Sequence, residues 1–185
     1  GEVMKKAGYK TGYFGKWHLH NDWHFNKGGK NFPNVRGYDE AYMYAGGGFY
    51  NPKFVPKYQN TGDKRLSDVL TDMGVDFIKK NKDEPFFLFV SHYDVHVQLD
   101  GDKALVDKYL AKEKDPDYPC NAVYAAMIEH TDKSVGEISA AIEENGLMDN
   151  TVFIFYSDNG GVGARFDRIP LIAGGSINTY PEGHP

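Results

Sequence analysis

Apolar and polar positions divide this chain into alternating helix-like and strand-like stretches. Val3, Met4 and Ala7 share one face of Glu2–Ala7, which reads as the last turns of a helix closed by Gly8 as a left-handed cap. Tyr9–Phe14 follows as a short strand, and Gly15 breaks it. Over Asp63–Asn81, Leu66, Val69, Leu70, Met73 and Phe77 recur at helical spacing, with lysine and aspartate opposite them. Phe86–Val90 is a continuous apolar run, the composition of a central parallel strand. A charged, irregular region then holds a short helix over Lys103–Leu110. Asn121–Asn145 carries the longest helical stripe: Tyr124, Met127, Ile128, Thr131, Val135, Ile138 and Ile142, ended by Gly146. Thr151–Tyr156 is again β-branched and aromatic throughout, which predicts a strand buried on both faces.

A strand, a long helix and a second strand imply a right-handed crossover between parallel neighbours. The fold class is therefore α/β, a parallel-rich central sheet flanked by helices. Asn21–Asn34 and Asn51–Gly62 read as loops. Gly46, Gly47 and Gly48 could cradle an anion, but they lack the strand-to-helix context of a nucleotide loop and read as a flexible link.

Composition narrows the function classes. A chain of 185 residues, 41% of them hydrophobic, can bury a real core, and it also fits a piece of a larger domain. A net charge of −5 argues against a nucleic-acid partner, because no basic excess is present to neutralise phosphates. No apolar run approaches membrane-spanning length, so no membrane partner is expected. The single cysteine, Cys120, excludes an internal disulfide.

Chemistry concentrates where strands end. Lys16, His18 and His20 follow the first strand; in an extended backbone they share a face, with Trp17 and Leu19 packing inward. An ammonium beside imidazoles suits an anion. Ser91, His92, Tyr93, Asp94, Val95 and His96 follow the second strand, and a histidine there could donate a proton to a leaving group. Ser157, Asp158, Asn159, Gly160 and Gly161 follow the third. Asp158 and Asn159 offer two hard oxygen donors, which suit Ca2+ or Mg2+ better than zinc. The plainer account of that pair is an Asx turn closing a strand. Ligands of open parallel sheets bind beyond the carboxyl ends of the strands. Three such clusters at one edge describe hydrolysis of a charged ester, with cations spreading the developing negative charge.

Several stretches together resemble the type I sulfatases of the alkaline phosphatase superfamily. Gly8–Leu19 (GYKTGYFGKWHL) is similar to that family's second signature, and Val123–Gly161, with AAMIEHTDKSVGEI and SDNGG, also follows its pattern. Arg36–Glu40 and Pro85–His96 do the same. The resemblance implies an alkaline-phosphatase-like fold and hydrolysis of sulfate esters, on a small molecule or a glycan. It implies that Lys16 and His96 contact the sulfate, that His18 holds the nucleophile's hydroxyl, and that Asp158 and Asn159 bind one Ca2+ ion.

Departures from the pattern matter as much. The family's formylglycine nucleophile arises in a Cys/Ser-x-Pro-x-Arg motif, and none occurs here; Cys120 is followed by Asn121 and Ala122. The family's N-terminal pair of metal-binding aspartates has no counterpart. Pro170–Ser176 lacks the lysine expected there, Gln98 stands where proline is frequent, and His20 replaces a glycine. The expected organisation is a partial catalytic domain over residues 1–185, with the nucleophile-bearing segment and the C-terminal subdomain outside it. The rival readings are a phosphomonoesterase or phosphonate hydrolase of the same superfamily, and a non-catalytic binder of sulfated glycans. A zinc hydrolase using His18, His20 and His24 lacks a suitably spaced glutamate base.

Overall fold

The computed structural model describes residues 1–19, 31–96, 99–113 and 121–159. Among these, the elements in order are α1 (Glu2–Lys6), β1 (Lys10–Gly15), β2 (Glu40–Tyr44), β3 (Phe54–Val55), α2 (Leu66–Asn81), β4 (Phe86–Ser91), α3 (Lys103–Leu110) and α4 (Ala122–Glu144). The described residues form two compact bodies, one within Gly1–Tyr93 with Ser134–Val152 and one within Asp94–Lys133 with 153–159.

The first body is built on a four-stranded sheet in the order β3-β2-β1-β4. β1 pairs in parallel with β2 and with β4, and β2 pairs antiparallel with β3. Alternation along β4 covers both faces. Phe86, Leu88 and Val90 pack with Ile78 of α2 and with Ile138, Ala141 and Ile142 of α4. Phe87 packs on the other face, with Tyr13, Tyr38, Ala41 and Trp17. Gly12 allows the first layer to close, since a Cβ there would lie 2.8 Å from the Phe77 ring.

The predicted helices hold, within a few residues at their ends. Gly8 (φ +87°) and Gly146 (φ +70°) take the left-handed conformations expected of caps. Along the α4 stripe Met127, Ile138 and Ile142 are buried, Tyr124, Thr131 and Val135 are partly buried, and Ile128 is exposed. Asn121 starts that helix by accepting hydrogen bonds from the amides of Val123 (3.0 Å) and Tyr124 (2.9 Å), the role of an N-cap.

Three expectations need correction. β2 and β3 lie in stretches given no strand. The three glycines, all at positive φ, are the connection between them: Ala45 N–H donates to the Lys53 carbonyl, and Lys53 N–H donates back to Gly46. β4 is parallel as expected, yet β1 is its one strand partner among the described residues, and Phe89 is half-exposed. Thr151–Tyr156 carries no strand pairing among the described residues. Val152 is 86% exposed, Ile154 78% and Tyr156 83%. A continuous apolar run signals appetite for cover, and no described element supplies it here.

Arg36–Glu40 works as a structural clamp. The Asp39 carboxylate accepts from the backbone N–H of Thr11 (3.1 Å) and pairs with Lys5 (2.6 Å), tying β1 and α1 to the start of β2. Those donors, Lys5 foremost, hold its pKa below the usual carboxylate range. Gly37 sits at φ +86°, and a Cβ there would lie 2.3 Å from the Glu2 nitrogen.

In the second body, Gly101 brings Val106 of α3 close to Val123 and Ala126 of α4. Lys108 pairs with Glu129 at 2.7 Å, and His130 Nε2 lies 3.0 Å from an Asp102 carboxylate oxygen.

Candidate functional site

The site begins at the exits of β1 and β4. Their register aligns Gly15 with Ser91, so both strands end at the same level. Gly15 is at φ +119°, and a Cβ there would fall 1.9 Å from the Ser91 carbonyl oxygen. Only glycine permits that approach. Immediately beyond, the Lys16 N–H donates to the same carbonyl at 2.9 Å, and the Tyr13 hydroxyl donates to the Lys16 carbonyl. The backbone of Lys16 is thus held from two directions before its side chain starts. Burial pushes the Tyr13 phenol well above its ordinary pKa, so it stays a donor.

The Lys16 ammonium lies 5.5 Å from the centroid of the Tyr93 ring. Trp17 turns inward, edge-on to Tyr13 at 4.8 Å, and its indole N–H donates to the Asn31 carbonyl at 2.6 Å. The expected alternation stops there. His18 has φ +50°, a left-handed conformation that costs a non-glycine residue about 1–2 kcal/mol. That residue breaks the extended backbone on which a shared face for Lys16, His18 and His20 depends. Leu19, expected inside, is exposed. Strain of this kind in a non-glycine residue concentrates at functional positions. His20 and His24 lie outside the described residues.

Beyond β4, His92 and His96 have different surroundings. The His92 Nε2 lies 3.0 Å from the Ser134 hydroxyl, which in turn lies 2.6 Å from the Thr71 hydroxyl. This chain joins the end of β4 to α4 and α2. Its other ring nitrogen is buried with no hydrogen-bond partner among the described residues. Burial lowers the pKa of His92 to about 4, so the ring is neutral at physiological pH. A neutral, buried imidazole fixed to a hydroxyl is a structural part. The sequence could not separate it from His96, because both follow the same strand.

Lys16 and His18 belong to the first body, and His96, Asp158 and Asn159 to the second. Asp158 and Asn159 are exposed, and the Ser157 hydroxyl donates to the Asn159 carbonyl at 2.5 Å. Among the described residues, no three histidine, cysteine, aspartate or glutamate side chains group closely enough to hold a metal ion. Two hard oxygen donors suit calcium, but calcium takes about six to eight ligands, so this pair could supply only part of a shell. Cys120, Gly160, Gly161 and Pro170–Ser176 lie outside the described residues. No helix among the described residues is long and apolar enough to cross a membrane.

The sequence read alone overlooked Tyr93. Its ring packs against Tyr44 (5.2 Å) and Phe49 (5.7 Å), and its face lies by the Lys16 ammonium. The only signal available was an aromatic residue one step past a strand exit.

The sequence profile described as Sulfatase matches residues 1–184. A protein named sulfatase from Formosa agariphila is 29% identical, the match covering 98% of this chain and 42% of that protein. An arylsulfatase from Hemicentrotus pulcherrimus is 27% identical, over 99% of this chain and 36% of its own length. The crystal structure of Ps i-CgsB in complex with k-i-k-neocarrahexaose superposes with a TM-score of 0.64 at 24% identity, covering 80% of this chain and 37% of that one. A mostly parallel sheet with flanking helices agrees with the alkaline-phosphatase-like fold expected from the sequence. The chain spans 36% to 42% of the length of these two sequence relatives.

Proposed function

Because the chain belongs to the sulfatase family, we propose that the intact protein hydrolyses sulfate esters, of small molecules or of glycans. The observation that carries this reading is the delivery of Lys16, as a fixed cation, to the carboxyl end of a parallel strand pair. Ligands of open α/β sheets bind at that edge. In this reading the Lys16 ammonium binds a sulfate oxygen and offsets the charge that builds as the S–O bond breaks. The family resemblance gives His96 a sulfate contact and gives His18 the hydroxyl of the family's nucleophile. The strained backbone at His18 supports a functional place for that imidazole. Asp158 and Asn159 are the residues that would hold a divalent cation, which would supply positive charge to stabilise the charge developing on an ester. The glycan alternative draws on the hexaose named in the Ps i-CgsB complex.

The test uses the intact protein with p-nitrophenyl sulfate. Lys16→Ala is expected to lower kcat/KM by about 100-fold or more, the usual cost of removing one charge-stabilising group. A variant with unchanged kcat/KM would remove Lys16 from the site, and preference for p-nitrophenyl phosphate would turn the reading to a phosphatase. Asp158→Ala is expected to weaken calcium binding and activity together, and an unaltered calcium titration would end its metal role. The 185 residues contain no Cys/Ser-x-Pro-x-Arg motif, so this chain alone is expected to release no sulfate from the same ester.

A further inference from the structure

Lys16 has a partner that leaves its charge intact. A lysine has four rotatable bonds and gives up rotamer freedom when it is fixed. A carboxylate would fix it, but would also neutralise it for an incoming anion. Among the described residues no carboxylate pairs with Lys16, and the Tyr93 ring lies 5.5 Å from its ammonium instead. An aromatic face attracts a cation through its quadrupole and carries no net charge.

The ring is itself held in place. Tyr44 lies against it at 5.2 Å and Phe49 meets it edge-on at 5.7 Å. The buried guanidinium of Arg65 lies 4.3 Å from the Phe49 ring. The result is a column of guanidinium, phenyl, phenol and ammonium, anchored in the core at the Arg65 end. The column is also fixed along the chain. Ser91, two residues before Tyr93, receives the Lys16 amide, and His92 is tied to Ser134 on α4.

From this we infer that Tyr93 is a positioning residue: its ring face orients the Lys16 ammonium towards the substrate anion without cancelling its charge. The inference rests on the proposed sulfate-binding role of Lys16 and goes beyond it, by naming what sets the affinity of that cation.

The test is a mutant cycle in the intact protein, read by the inhibition constant of inorganic sulfate and by KM and kcat for p-nitrophenyl sulfate. Tyr93→Leu is expected to raise both the inhibition constant and KM about three- to tenfold, the scale of a partly desolvated cation–π contact. Tyr93→Phe keeps the ring face and is expected to stay within about twofold of the parent. In a Lys16→Met background, Tyr93→Leu is expected to change neither quantity further. Independent effects that multiply in the double variant would overturn the inference while leaving Lys16 in the site. Equal losses in Tyr93→Phe and Tyr93→Leu would also overturn it, by pointing to the hydroxyl. An unchanged inhibition constant in Lys16→Met alone would sink the sulfate-site reading, and this inference with it. If Tyr93→Leu does not fold, 3,4,5-trifluorophenylalanine at position 93 preserves the shape and drains the ring face. A rise of about threefold is then expected, and no rise overturns the inference.

Discussion

At the scale of single residues, the two histidines after β4 show how environment divides identical side chains. His92 is buried, bonded to Ser134 and held neutral, with its pKa lowered to about 4. In the unfolded chain it would titrate near its ordinary value, about 6.5. The unfolded state therefore binds more protons than the folded state between these values. Its contribution is full above pH 6.5 and is lost as the pH falls towards 4. The loss reaches about 3 kcal/mol at the lower end, on the scale of 1.36 kcal/mol for each tenfold change in proton affinity. The expected outcome is that His92→Gln flattens the fall in urea midpoint between pH 7 and pH 4, relative to the parent protein. Parallel curves for the two proteins would mean that the buried imidazole takes up its proton at an ordinary pH. Ser134→Ala adds a control, because it removes the partner hydroxyl and leaves the buried ring in place.

At the scale of elements, the sheet depends on close approaches that only small residues allow. Gly15 is the sharpest case, with φ +119° and the Ser91 carbonyl oxygen where a Cβ would stand. Gly15→Ala would force β1 and β4 apart at the level from which Lys16 leaves. A loss of more than about 3 kcal/mol is expected, since a forbidden backbone angle and a steric clash act together. Chemical denaturation checks it, and a loss below 1 kcal/mol would show that the junction can relax. Much of this scale was legible in the sequence. The stripes of α2 and α4 are local patterns with a period of 3.6 residues, and the chain follows them. β2 was not legible, because its five residues alternate weakly and follow a polar turn. β3 has only two residues and exists through its pairing with β2. At the site, Lys16 and its glycine were visible as a motif, whereas the Tyr93 platform arises from register between strands distant in sequence.

At the scale of the whole molecule, the segment after Asn150 separates what composition demands from what the described residues provide. Thr151–Tyr156 has the residues of a central strand, six in a row with no charge and no proline. Val152, Phe153, Ile154, Phe155 and Tyr156 are nevertheless all exposed. A short, uncharged, β-prone segment open to solvent pairs readily with another copy of itself. Each large apolar side chain left exposed forgoes about 1.5–3 kcal/mol of burial, so association has a strong driving force. A net charge of −5 over 185 residues offers modest resistance. The 185-residue chain is therefore expected to elute as oligomers at tens of micromolar and to enhance the fluorescence of a hydrophobic dye. Ile154→Lys with Phe155→Lys should restore a monomer and abolish the dye signal, because lysines then oppose each other in parallel in-register pairing and in antiparallel pairing centred on these two residues. A monodisperse, dye-silent parent chain would show that the run finds cover within its own molecule. That result would return Asp158 and Asn159 to the end of a packed strand, where the sequence first suggested them.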